Sequence, residues 1–291
     1  MSARPVVDDA LRDSSIWDSV RPRSGDVIIA SCYKSGTTLT QQIVKLLLHG
    51  PADLGHMAAL SPWVESRLHS PGGAAVEALS SPRFLKTHLP FEALPDRSEW
   101  RYIALARDGR DVCVSLYEHC RALREERPRV PGRPPVDDGA ADFPTFWREW
   151  LATGRPRWDY FSHVDSWWRA RQLDNVLLLH YADFLTDKIA QAKRIADFIG
   201  VGWTSEIEAL IGAGSSLAQM KQLERAGMVG GRRPKAVATF VNKGTNGRWR
   251  ALLPPEEIER YLQLAEDRLE PACSAWLQSG GPLPEAAGGR R

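Results

Sequence analysis

No apolar run in this chain approaches the roughly 18 residues of a membrane-spanning helix, and the N-terminal stretch has no apolar region of the secretion-signal kind. Both absences point to a soluble, cytoplasmic protein with no membrane partner. An excess of one charge is missing too. With 38 Lys and Arg against 36 Asp and Glu, the net charge of +2 is too small for a nucleic-acid-binding face. Cysteine is scarce: Cys32, Cys113, Cys120 and Cys273 show neither C-x-x-C nor metal-ligand spacing, so the sequence predicts reduced thiols and no metal site. No internal repeat is visible.

What is present is ample apolar material, 43% of 291 residues, and one informative stretch, DVIIASCYKSGTTLTQQIVKLLL at 26 to 48. Val27, Ile28, Ile29 and Ala30 form a short continuous apolar run of the kind buried in a parallel sheet. Leu39, Ile43, Leu46 and Leu47 then recur at helical spacing. Between the two, the amides of Ser35, Gly36, Thr37 and Thr38 fall at a helix N-terminus, where unpaired N–H groups and the helix dipole favour an anion. Gly36 lets the backbone approach such a ligand, the threonines add hydroxyls, and Lys34 adds a full charge. A nucleoside triphosphatase loop reads G-x-x-x-x-G-K-[ST]. Here there is one glycine, and the lysine precedes it, which disfavours an ordinary ATP or GTP site.

Three more segments extend the pattern. RFLKTHLP at 83 to 90 reads as a strand ending in Lys86, Thr87 and His88. YIALARDGRDVCVSLYEH at 102 to 119 reads as a strand entering a helix, so Arg107 at the strand's end can share an anion with Ser115. An ion pair of Arg107 with Asp108 or Asp111 is the competing reading. FVNKGTNGRWR at 240 to 250 is a glycine-punctuated basic loop.

Together these segments resemble the PAPS-dependent cytosolic-type sulfotransferases, PAPS being 3′-phosphoadenosine-5′-phosphosulfate, from about residue 25 to about residue 275. The family's Y-P-K-S-G-T-T-W loop for the 5′-phosphosulfate is matched by Cys32-Tyr33-Lys34-Ser35-Gly36-Thr37-Thr38-Leu39. Its K-T-H-L-P segment, which carries the catalytic histidine, is matched by Lys86 to Pro90, and its arginine and serine for the 3′-phosphate by Arg107 and Ser115. The loop R-K-G-x-x-G-D-W-K is matched by Asn242-Lys243-Gly244-Thr245-Asn246-Gly247-Arg248-Trp249-Arg250. HVDSWW at 163 to 168 and Tyr181, in the position of an adenine-contacting tyrosine, are lesser matches. The resemblance also places Ser215 and Leu217 of SSLAQMK at the nucleotide.

Several departures stand out. Tyr33 replaces the loop proline, while Leu39 and Leu217 replace the two aromatic residues that cover the adenine. Stacking contributes roughly 1–3 kcal/mol per base, so the grip on the adenine is expected to weaken. Asn242 replaces an arginine and keeps only a neutral hydrogen bond for the 3′-phosphate.

The resemblance implies sulfuryl transfer from PAPS to a small-molecule hydroxyl or amine, releasing adenosine 3′,5′-bisphosphate (PAP) without a metal. Such a displacement asks the protein mainly to position groups and neutralise charge, by analogy with phosphoryl transfer. On the matching residues, His88 is the general base, Lys34 neutralises the leaving oxygen, Lys86 holds the sulfuryl oxygens, and Thr37 and Thr38 ligate the phosphosulfate. The other readings are an ATP-dependent small-molecule kinase and a catalytically inactive nucleotide-binding relative.

The expected fold is α/β, a single P-loop-like domain with a mostly parallel sheet flanked by helices on both faces. Residues 1–24 are expected as an N-terminal surface segment, 25–278 as the domain and 279–291 as a disordered tail. The Pro-, Gly- and charge-rich segment 127–142 reads as either a lid or a passive loop. The 11 tryptophans are assigned to core packing first. The family's dimerisation motif is incomplete near Glu259, so monomer and homodimer both stay open.

Overall fold

A computed structural model describes residues 4–52, 54–95, 98–126, 138–230, 241 and 243–284, with the backbone alone at 124–126. Its frame is a parallel sheet of β1 (Val27–Ser31), β2 (Phe84–Thr87), β3 (Arg101–Ala106) and β4 (Val176–His180) in the order β2-β1-β3-β4. All five residues of β1 are buried, as a strand covered on both faces must be. Side chains alternate between two cores. Ile28, Ala30, Leu85, Tyr102 and Leu178 point to one, and Val27, Ile29, Phe84, Ile103 and Leu179 to the other.

The second core is closed by helix α1 (Thr37–His49), whose Ile43, Val44 and Leu47 face the sheet, and by Lys188–Ile199, whose Ala192, Ile195 and Ala196 do the same. That helix ends on Gly200 at φ 77°, the left-handed cap that glycine suits. The first core is rich in tryptophan, with Trp147, Trp150, Trp167 and Trp168 on the helices Phe143–Thr153 and Tyr160–Ala170. The tryptophan-rich segments therefore build packing, as read from the sequence. Truncating a buried side chain there, such as Trp150→Ala, is expected to cost about 3–5 kcal/mol.

The segment before β1 does more than cover the surface. Trp17 and Val20 are fully buried in the first core, and Trp17 meets Trp100 edge-on at 5.4 Å. At the other end, the Gly281 amide donates to Asp183 at 2.7 Å and its carbonyl accepts from Trp276 Nε1 at 3.0 Å. Of the segment 127–142, residues 127–137 lie outside the described residues, while Asp142 caps the helix Phe143–Thr153.

The chain leaves β1 toward β2 on one side and returns to β3 on the other, so a crevice opens past the carboxyl ends of β1 and β3, the usual ligand position in such sheets. Lys34, His88, Arg107 and Tyr181 each stand just beyond the end of their strand. The sheet thus gathers residues spread over most of the sequence.

Candidate active site

The loop after β1 is shaped by two left-handed residues. Gly36 has φ 103°, and a Cβ there would lie 2.6 Å from the Tyr181 ring. Lys34 has φ 53°, the one positive φ at a non-glycine among the described residues, a conformation costing of order 1–3 kcal/mol. Its carbonyl is held by Arg107 Nη1 at 3.0 Å, and Ser35 Oγ donates to the Tyr33 carbonyl at 3.0 Å. Tyr33 anchors the loop from behind. Its hydroxyl accepts from Trp150 Nε1 at 2.7 Å and donates to the Trp158 carbonyl at 3.2 Å. Helix α1 starts with no acidic residue in its first turn and no side-chain cap on Gly36, so its N-terminus faces the cavity with its dipole uncompensated.

His88 hangs from the same strand end. Its Nδ1 lies 2.7 Å from the Ser31 carbonyl, an acceptor, so Nδ1 carries the proton and Nε2 the lone pair. The Ser31 hydroxyl pairs with Thr37 Oγ1 at 2.6 Å and lies farther, 3.4 Å, from Nδ1. Burial holds the His88 pKa well below the usual imidazole value, and the Lys86 cation adds to this. The imidazole is therefore neutral at pH 7.

Beneath it sits a group that the sequence reading did not single out. Glu65 is fully buried and accepts from the His88 amide at 2.6 Å, Trp63 Nε1 at 2.5 Å and Trp17 Nε1 at 3.0 Å. Burial raises its pKa, while those three donors favour the charged form. Its charge is felt by Lys86. Burial pulls the Lys86 pKa down to about 8, and Glu65 works against that fall. The Lys86 ammonium lies 5.1 Å from the Trp63 ring centre. The available signal was the run Trp63-Val64-Glu65, a carboxylate among bulky apolar residues.

Arg107 closes the opposite wall. Its guanidinium donates to Asn246 Oδ1, the Lys34 carbonyl and the Thr245 carbonyl, each at 3.0 Å, and stacks 4.5 Å over Tyr181. All three acceptors are neutral. The carboxylates considered for an ion pair are used elsewhere: Asp108 pairs with Arg110 at 2.8 Å, and Asp111 accepts the Gly247 and Arg248 amides at 2.8 and 3.2 Å. Burial lowers the Arg107 pKa, but a guanidinium stays charged. Asn246 went unnoticed because the basic loop was read for its lysine and glycines.

One cavity of about 1180 Å³ joins these groups. Lys34, Gly36, Thr37, Thr38, Lys86 and His88 line it with Arg107, Ser115, Lys243 and Gly244. Leu39, Tyr181, Ser215 and Leu217 line it as well. Tyr181 is packed between Gly36 and Arg107, the Ser215 hydroxyl donates to the Ile211 carbonyl at 2.6 Å, and Leu217 lies against Gly244. Ser35 is buried behind the loop and does not line the cavity, and Asn242 lies outside the described residues. On the far side of His88 the wall is aromatic, with Trp63 edge-on at 4.8 Å and Trp158 at 5.8 Å. Arg12 covers the Trp158 ring at 3.9 Å. No group of three or more potential metal ligands is assembled among the described residues, and no described helix is long and apolar enough to cross a membrane.

Known proteins are similar to this chain in sequence and in fold. The chain is 28% identical to a glycolipid sulfotransferase of Mycobacterium bovis over 96% of both chains, and 27% identical to sulfotransferase 1C2 of Oryctolagus cuniculus over 87% of this chain and 86% of the relative. Its fold is that of retinol dehydratase solved with retinol and PAP, at a TM-score of 0.71 and 24% identity over 88% of this chain and 84% of that one. Mouse sulfotransferase SULT7A1, solved with PAP, gives 0.66 and 22% over 87% and 88%. A model of the sulfotransferase domain matches residues 24–271, which takes in all four strands and α1, and the chain is a member of the sulfotransferase family.

Proposed function

We propose that this enzyme transfers a sulfuryl group from PAPS to the hydroxyl, or an amine, of a small-molecule acceptor and releases adenosine 3′,5′-bisphosphate. The observation that carries the reading is the meeting, in one cavity, of an imidazole with its Nε2 lone pair available, two lysines and an uncapped helix N-terminus. In the transfer, the acceptor O–H gives its proton to His88 Nε2 as the new O–S bond forms. The S–O bond to the 5′-phosphate breaks, and the electron pair leaves with the phosphate oxygen.

Lys34 and the first residues of α1 line the same cavity, and in this reading they neutralise that oxygen while Thr37 and Thr38 offer hydroxyls to the phosphosulfate. Lys86 supplies a cation beside His88 for the sulfuryl oxygens. Arg107, Ser115, Lys243 and the Gly244 backbone serve the 3′-phosphate, with Asn242 in the same loop. Leu39, Tyr181, Ser215 and Leu217 bound the adenine end, and Ser35 shapes the loop. The four buried free thiols support a cytoplasmic setting.

The reading is tested by thermal unfolding with PAP, ADP, or ATP with Mg²⁺, each at the same concentration. Ligand at about 100 times its Kd adds roughly 2.7 kcal/mol, so PAP alone is expected to raise the midpoint by several degrees. His88→Ala should then cut turnover from PAPS at least about a hundredfold while the PAP shift persists. A shift with ATP and not with PAP, or an unchanged rate, would sink the assignment.

A further inference from the structure

A lysine at the nucleobase end of the cavity has no part in the roles above. Lys188 opens the helix Lys188–Ile199 and lines the cavity together with Leu39, Ser215 and Leu217. Its Nζ donates to the Ser215 carbonyl at 3.1 Å. Partial burial lowers its pKa. Ser215 is held beside the first turns of α1, because the preceding carbonyl, that of Gly214, accepts from Gln42 Nε2 at 3.0 Å. The Ser215 hydroxyl hydrogen goes to Ile211, so the polar group Ser215 pairs with Lys188 is its carbonyl.

The walls here, Leu39 and Leu217, offer apolar area but no direction. A flat base between them is free to turn in its own plane unless its edge is hydrogen-bonded. An ammonium has three donors and a carbonyl two lone pairs, and their mutual bond uses one of each. Side by side they present a donor next to an acceptor, the complement of an amino group beside a ring nitrogen.

We infer that Lys188 and the Ser215 carbonyl together read the base edge of the donor, the adenine amino group giving to Ser215 O and the adjacent N1 accepting from Lys188 Nζ. Lys188 is thus a specificity-determining residue that supplies orientation where the aliphatic walls do not. The inference rests on the PAPS reading above.

Calorimetric titration of the full chain and of Lys188→Met with adenosine and inosine 3′,5′-bisphosphates tests it. Inosine exchanges the amino donor for a carbonyl acceptor and turns N1 from an acceptor into an N–H donor. The unaltered chain is expected to favour adenosine. Lys188→Met should lose about tenfold in adenosine affinity, the usual scale for a hydrogen bond from a charged group, and most of that preference. Lys188→Arg, which keeps a cationic donor, should retain most of the preference, and kcat at saturating donor should hold in both variants. Equal loss for the two ligands, or no loss, would overturn the inference and leave the PAPS reading standing. Failure of the unaltered chain to bind either bisphosphate would remove the PAPS reading first.

Discussion

The two ends of the cavity are built in opposite ways. At the proposed donor end, Lys34, Gly36, Thr37 and Arg107 follow directly from the ends of β1 and β3, and Arg107 joins the two strand ends through the Lys34 carbonyl. At the proposed acceptor end, His88 stands beside Trp63 and Trp158, and the wall is held by contacts from afar, with Arg12 over the Trp158 ring and Tyr33 on the Trp158 carbonyl. The proposed anion site is a loop that follows β1 directly and is tied down by a few contacts, Arg107 on the Lys34 carbonyl and Trp150 on Tyr33. The proposed acceptor site is lined by side chains whose positions depend on the packing of several helices.

The contrast can be broken most sharply at Gly36. Gly36→Ala places a methyl 2.6 Å from the Tyr181 ring at φ 103°, so PAP affinity measured by titration should fall about a hundredfold. An acceptor analogue should bind as before. Glu65→Gln attacks the base of the other end. Lys86 loses its charge as pH rises through about 8, so turnover that needs the cation is full below that pH and declines above it. Removing the Glu65 carboxylate takes away what holds the Lys86 pKa up, and the alkaline limb of the pH–rate profile should move to lower pH. No acid limb from His88 is expected between pH 6.5 and 7, since that group titrates well below 6.5.

Tyr33→Phe is a smaller cut at the seam. It removes the acceptor of the buried Trp150 Nε1, and thermal unfolding should show a loss of about 1–3 kcal/mol. The acceptor KM should rise more than the donor KM, and the reverse split would show that the donor loop, too, leans on the distant packing. The mildest change sharpens the donor end. Leu217→Phe supplies an aromatic face, and PAP should bind more tightly by about 1 kcal/mol, the low end for base stacking.

This division also explains what could be read from the sequence. β1, β2, β3, α1 and the residues after those strands were legible because buried runs, helical spacing and loop chemistry are local signals. The choice for Arg107 between anion site and ion pair was not, since it turned on Asp108 reaching Arg110 and Asp111 reaching the Gly247 amide, a contact across the fold. Glu65 stayed hidden because its role rests on donors from Trp17, Trp63 and His88, two of them distant in the chain. Tyr33 could be seen only as a departure from the family loop. Its partners, Trp150 on the helix Phe143–Thr153 and the Trp158 carbonyl beyond it, give the substitution its meaning.

Ser31 holds the proposed base and the donor loop through different atoms: the carbonyl takes His88 Nδ1, and the hydroxyl takes Thr37. The first of these is main chain, present whatever residue occupies the position. Sequence drift at 31 can therefore retune the grip on the donor without deleting the tether of the imidazole, so the chemistry is insulated from a class of substitutions to which the binding loop stays open.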